Sequence, residues 1–100
     1  MIKKYIFNFS LEKNQKLICE RNISFEEIIS AIENDSIVDI IEHHNLQKYA
    51  NQKMYVVKLN DYIYLVPFII EDDYTIFLKT IFPSRKATQK YLKKVGNYEK

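Results

Sequence analysis

The sequence predicts an α+β domain: a mostly antiparallel sheet of about four to five strands, two helices near its start and one helix at its end. Three observations carry this. Strand-like apolar runs occur once near the beginning and then in close succession through the second half, as "KMYVVKL", "YIYLVPFII" and "YTIFLKTIF". Between the first run and the rest lies "NISFEEIISAIEND", with helical apolar spacing and a capping signature. Finally, Pro83-Ser84 ends the apolar half and a lysine-rich run follows. One hundred residues, 47% of them hydrophobic, suffice for one core. A single domain over 1–95 with a frayed tail at 96–100 is expected.

The elements follow in order. In "KKYIFNF", Tyr5, Phe7 and Phe9 fall on one side and Ile6 and Asn8 on the other, which is the period of a first strand. Ser10 reads as an N-cap for a helix over Leu11 to Asn22, with Leu11, Leu17 and Ile18 as its stripe and Gln15 and Lys16 outward. In the second helix Ser24 and Glu27 form an S-x-x-E capping box, and Ile23 and Ile28 are spaced for a hydrophobic staple. Phe25, Ile28, Ile29 and Ile32 make its buried stripe, and Asn34-Asp35 closes it. "SIVDIIE" is a short strand and "HHNLQKYANQ" a polar loop. Asn60-Asp61 is a two-residue hairpin turn without the usual glycine. "YIYLVPFII" is apolar on both faces and therefore central, with a bulge or bend expected at Pro67. "EDD" turns into a last strand, which Pro83 stops. Ser84 caps a basic helix from Arg85 to Lys94. Helices are expected to cover one face of the sheet.

Charge and composition limit the function. Residues 85–100 hold six Lys/Arg against Glu99 alone, net +5, which leaves residues 1–84 at net −3. A basic end on a mildly acidic body points to a polyanion or an acidic partner. The lone cysteine, Cys19, excludes an internal disulfide, suits a reducing compartment and reads as core. Lys3 and Lys4 precede only "YIFNF", too short for a signal peptide, and the longest apolar run is strand length. A cytoplasmic protein with no membrane partner is expected.

A single glycine excludes the P-loop and the dinucleotide fingerprint, and no paired-cysteine metal motif exists. His43 and His44 are adjacent, which is poor spacing for a shared metal; either suits proton transfer near neutral pH. No metal and no cofactor are expected. Lys79 lies inside an apolar strand, on the side of Thr75, Phe77 and Ile81, and either snorkels to an edge or points into a cleft. Arg85, one of two arginines, opens the last helix, where a guanidinium and backbone N–H groups can hold a phosphate. Lys86 shares a helix face with Lys90, and Lys90 with Lys94, a stripe suited to a nucleic-acid backbone. Tyr49, Tyr55, Tyr62 and Tyr64 are sheet packing, with one or two free to stack on a base.

The run "FNFSLEKNQKLICERNISFEEI" resembles the opening of the BrnT family of bacterial toxins, and "KLNDYIYLVPFIIEDDYTIFLKTIFPSRKA" is similar to its hairpin region and closing signature. The resemblance spans roughly Phe7 to Lys94. It implies a RelE-like fold and a metal-independent endoribonuclease that arrests translation. It also implies an antitoxin of ribbon-helix-helix type, with promoter DNA bound only through that complex. Ser84, Arg85, Lys86 and Ala87 match the closing signature, one of His43 or His44 matches a loop histidine, and Lys48 stands where arginine is frequent. The expected reaction is attack of a ribose 2′-OH on the adjacent phosphorus. His44 would be acid/base, Lys79 and Arg85 would stabilise the charged transition state, and Ser84, Lys86, Lys48, Lys90 and Lys94 would bind RNA. The alternative is a non-enzymatic protein- or DNA-binding module of plasmid or phage origin.

Overall fold

The computed structural model describes residues 5–42 and 52–93. Its elements are β1 (Ile6–Asn8), α1 (Leu11–Arg21), α2 (Phe25–Glu33), β2 (Ile37–Glu42), β3 (Lys53–Leu59), β4 (Tyr62–Ile70), β5 (Thr75–Leu78), β6 (Phe82–Pro83) and α3 (Arg85–Thr88), followed by a π-helical segment, Gln89–Lys93. The class is α+β, as the element pattern predicts. The described residues form six strands rather than four to five, in one sheet ordered β1-β5-β4-β3-β2, with β6 also pairing on β4. Only β1 runs parallel to its neighbour, β5; the other pairings are antiparallel.

The two N-terminal helices form as their sequences dictate. The Ser10 hydroxyl accepts from Lys13 N (3.1 Å), and Asn22 ends α1 in the left-handed region at φ 56°. In α2 the Ser24 hydroxyl accepts from Glu27 N (3.1 Å) while Ser24 N donates to the Glu27 carboxylate (3.0 Å), so the box is closed in both directions. Ile23 and Ile28 are both buried. The stripe expected on α1 needs correction: Leu11 is 75% and Ile18 41% exposed, and the helix buries Leu17 together with Asn14. Cys19, expected in the core, is exposed on the outer side of α1.

Asn14 explains that departure. Its side-chain oxygen accepts from Phe25 N (2.7 Å), and its amide donates to Glu26 Oε1 (2.9 Å). Phe25 N is a first-turn donor with no partner inside its own helix. A buried asparagine satisfies it and so fixes the angle between α1 and α2.

Helices cover both faces of the sheet, not one. On the first face Tyr55, Val57, Val66, Phe68, Ile76 and Leu78 pack under α1 and α2 around Leu17, Phe25 and Ile28. The alternate residues of β3 and β4 point the other way, and of these Met54, Val56 and Ile63 are buried as well. They lie toward α3, which packs on β4. Burying each such side chain is worth about 1.5–3 kcal/mol, so neither face could be left in water.

Pro67 does not interrupt its own strand. β4 runs unbroken from Tyr62 to Ile70. The Pro67 carbonyl accepts from Lys79 N (2.8 Å), so this residue faces β5, and the missing proline N–H faces β5 too. The irregularity appears in that neighbour. Three residues, Lys79, Thr80 and Ile81, span what two residues span on β4, and the expected last strand splits into β5 and β6. As a result Ile81 turns into the core while Lys79 is exposed, so the two do not share a face as the unbroken strand would require. The Arg21 guanidinium donates to Ile81 O (2.6 Å) and lies 5.8 Å from the Phe82 ring centre, which ties α1 to this bulge. The hairpin turn forms as expected, with Asn60 and Asp61 at φ 55° and 62°.

Candidate functional site

The basic helix is held against the sheet at its root. Ser84 N donates to Ile63 O (3.0 Å) and Ile63 N donates to Thr88 Oγ1 (2.9 Å), so a fully buried residue of β4 grips both ends of α3. The Ser84 hydroxyl accepts from Ala87 N (3.0 Å) as the expected cap. Beyond Thr88 the helix widens into the π-helical segment and crosses toward β2. There the Tyr91 hydroxyl donates to Asp39 Oδ2 (2.8 Å).

Between root and crossing lies a cleft of about 430 Å³. Its floor is Ile41, Met54 and Leu65 from three strands, and its other wall is Ser84, Lys86, Ala87, Lys90 and Tyr91. The floor residues follow from register: Ile41 pairs with Met54 and Met54 with Pro67, and Leu65, two residues before Pro67 and paired with Val56, falls on the same face under the helix. Glu42 also borders the cleft. Its register opposite Lys53, which pairs with Phe68, assigns its side chain to the α1/α2 face, so we give it no chemical role.

The structure therefore brings Ser84, Lys86 and Lys90 together. It does not bring Lys79 or Arg85 into the lining. Lys79 is exposed opposite Pro67 and Arg85 follows Ser84, which pairs at Ile63. Four residues of β4 separate those positions, roughly 13 Å. Neither lines the cleft, and the two do not meet in one pocket. His43, His44, Lys48, Tyr49 and Lys94 lie outside the described residues, as do the remainder of the expected polar loop up to 51 and the expected tail at 96–100.

Sequence reasoning missed Tyr91 and Asp39. Asp39 is the one acid inside "SIVDII", and an acid in an apolar strand signals either a bulge or a polar partner. Both hold here: the register between β2 and β3 shifts between Ile37 and Asp39, and the carboxylate takes the Ile40 N–H (2.8 Å) as well as Tyr91. The Tyr91 hydrogen bond, the Ile40 N–H and the nearby Lys90 charge hold the Asp39 carboxyl below the usual range. The same bond raises the Tyr91 phenol. Of the tyrosines singled out from sequence, Tyr55 stacks on Phe68 at 4.0 Å within the core, and burial pushes its phenol up to about 12. Tyr62 and Tyr64 pack edge to face at 5.7 Å.

The faces differ in charge. α1 and α2 together carry five acids and three cations, with no cation on α2, whereas α3 and the π-helical segment carry Arg85, Lys86 and Lys90 and no acid among the described side chains. Among the described residues no three His, Cys, Asp or Glu gather as metal ligands, and no helix is long and apolar enough to cross a membrane. No protein-family model, no curated protein and no solved structure matches the chain.

Proposed function

We propose that the protein is an RNA-cleaving toxin of a two-gene toxin–antitoxin pair and that the cleft under its C-terminal helix binds a ribose-phosphate unit. The observation that carries this reading is the meeting of Lys86 and Lys90 with an apolar floor and the Tyr91 ring in one cleft on the basic face. Ammonium groups hold the phosphate, and the apolar floor accepts sugar and base surface. The order β-α-α, then antiparallel strands, then a basic helix opened by "SRKA" agrees with what the BrnT resemblance implies, and so supports a RelE-like assignment.

In this reading a base removes the proton of the 2′-OH. The oxygen attacks the adjacent phosphorus, and an acid protonates the departing 5′-oxygen. Products are a 2′,3′-cyclic phosphate and a 5′-hydroxyl. Lys86 and Lys90 counter the charge on the phosphorane oxygens, while Arg85 and Lys79 extend the cationic track on either side. His44, which lies outside the described residues, is taken as the proton-transfer group because the BrnT resemblance implies a histidine in that loop and imidazole titrates near neutral pH. The antitoxin, an acidic and apolar segment of a ribbon-helix-helix protein, covers the cationic face; promoter DNA is met only through that complex.

The test is incubation of the purified protein with single-stranded RNA, with and without chelator. Chelator-resistant cleavage leaving cyclic phosphate ends is expected, and Lys86→Ala or Lys90→Ala lowers the rate on the order of 100-fold. Each also lowers the salt dependence of RNA affinity by about 0.7 in log–log slope. Absence of both cleavage and salt-dependent binding, in protein freed of any antitoxin, overturns the proposal.

A further inference from the structure

We infer that Asp39 is a positioning residue: through Tyr91 it latches the cation-bearing helix to the edge strand β2 and so fixes where Lys90 stands relative to Lys86, which the root of the helix already holds. The placement of the lysines is a statement about the protein alone; its effect on RNA affinity rests on the proposed function.

Two observations carry it independently. The first is a chain of contacts across the cleft. Asp39 Oδ2 accepts from the Tyr91 hydroxyl at 2.8 Å, and the Lys90 ammonium lies 5.2 Å from the Tyr91 ring centre. A charged acceptor makes the phenol bond stronger than a neutral one. The ring, held by its hydroxyl, presents its face to the ammonium, and that contact orients Lys90. Asp39 is itself aimed, because its other oxygen takes the Ile40 N–H at 2.8 Å.

The second is the helix geometry. The helix leaves α geometry after Thr88 and runs as a π-helical segment from Gln89 to Lys93. π-helical turns are rare and concentrate at functional sites. A wider turn changes the direction in which Tyr91 leaves the helix, and here it leaves toward Asp39. The root is fixed at Ile63 and the crossing at Asp39, so the segment with Lys86 and Lys90 is anchored on both sides. A helix pinned only at its root would keep Lys86 in place and let the Lys90 ammonium sweep through solvent.

The experiment compares Asp39→Ala, Tyr91→Phe and the double variant with the wild type, by two readouts. Amide hydrogen exchange of residues 85–93 needs no RNA. Exchange at Gln89–Lys93 is expected to rise severalfold in all three variants alike, with thermal midpoints little changed. The second readout is affinity for a fluorescein-labelled single-stranded RNA. Each single change is expected to weaken binding roughly threefold to tenfold, and the double no further, because both remove the same bond. Unchanged exchange in both single variants overturns the latch. Faster exchange with RNA affinity unchanged, while Lys86→Ala still weakens binding, overturns the positioning role and leaves the cleft reading standing. If wild-type protein binds no RNA, the proposed function fails, and hydrogen exchange alone still decides the latch.

Discussion

Replacing Asn14 by alanine isolates the joint between α1 and α2. Asn14 is 4% exposed and makes two hydrogen bonds, taking Phe25 N–H at 2.7 Å and giving to Glu26 Oε1 at 2.9 Å. Alanine removes both. Phe25 is fully buried, so its N–H gains no water in exchange. An unsatisfied buried donor costs about 1–3 kcal/mol, and about 2 kcal/mol is expected here. For a domain of this size that lowers the thermal midpoint by about 8–16 °C. Urea unfolding followed by circular dichroism measures it; the slope should be unchanged while the midpoint falls. The second bond adds a pH signature. The Asn14 amide, ahead of the other contributions, holds the Glu26 carboxyl below its ordinary value of 4.5. A carboxyl depressed in the folded state contributes stability that is full above its unfolded value and is lost as pH falls through its folded value. The gap between wild type and variant therefore narrows as pH drops below about 4.5. A midpoint shift under about 2 °C at neutral pH would refute the account of the joint, and a gap indifferent to acidification would remove Glu26 from it.

Two further outcomes follow from the backbone and the surface. Asp61 sits at φ 62° in the β3–β4 turn, a conformation glycine adopts without strain, so Asp61→Gly should raise stability by about 0.5–1 kcal/mol in the same urea assay; a loss would mean the Asp61 side chain supports the turn. Cys19 is exposed, so a thiol reagent should label the native protein at a rate close to that of the urea-unfolded chain; protection by more than about tenfold would contradict its position on α1.

Local signals were legible because they are satisfied locally. The Ser24–Glu27 box, the Ser10 and Ser84 caps and the Asn60-Asp61 turn each depend on neighbours within a few residues, and each appears as read. What failed depends on distant partners. Asn14 looks like an outward polar residue until Phe25 N–H needs an acceptor, and that displaces Leu11 and Ile18 from the core side. The bulge or bend expected at Pro67 does not form in its own strand: the missing donor faces the neighbouring strand, and the extra residue sits there. The apolar character of "YIYLVPFII" on both faces already implied two covering layers, a consequence that the one-faced reading did not follow through. Lys86 and Lys90 were legible as part of a stripe and Ser84 as a cap, whereas Asp39 and Tyr91, 52 residues apart, could be paired only by the fold.

The near-zero net charge understates what a ligand would meet. Net +2 is a sum over the whole chain; among the described residues α1 and α2 carry five acids and three cations on one side of the sheet, whereas α3 and the segment after it carry only cations on the other. Packed layers stand about 10 Å apart, so α2 and α3 are separated by roughly 20 Å. The screening length at physiological ionic strength is about 8 Å. At that distance the carboxylates of α2 barely offset the field over α3, and a polyanion approaching the cleft meets the cations of one face rather than the average of the chain. Electrostatic steering onto a protein of almost no net charge is possible for that reason, and it also gives an approach preference: the negative end of the molecule turns away, and the lysines of the helix lead.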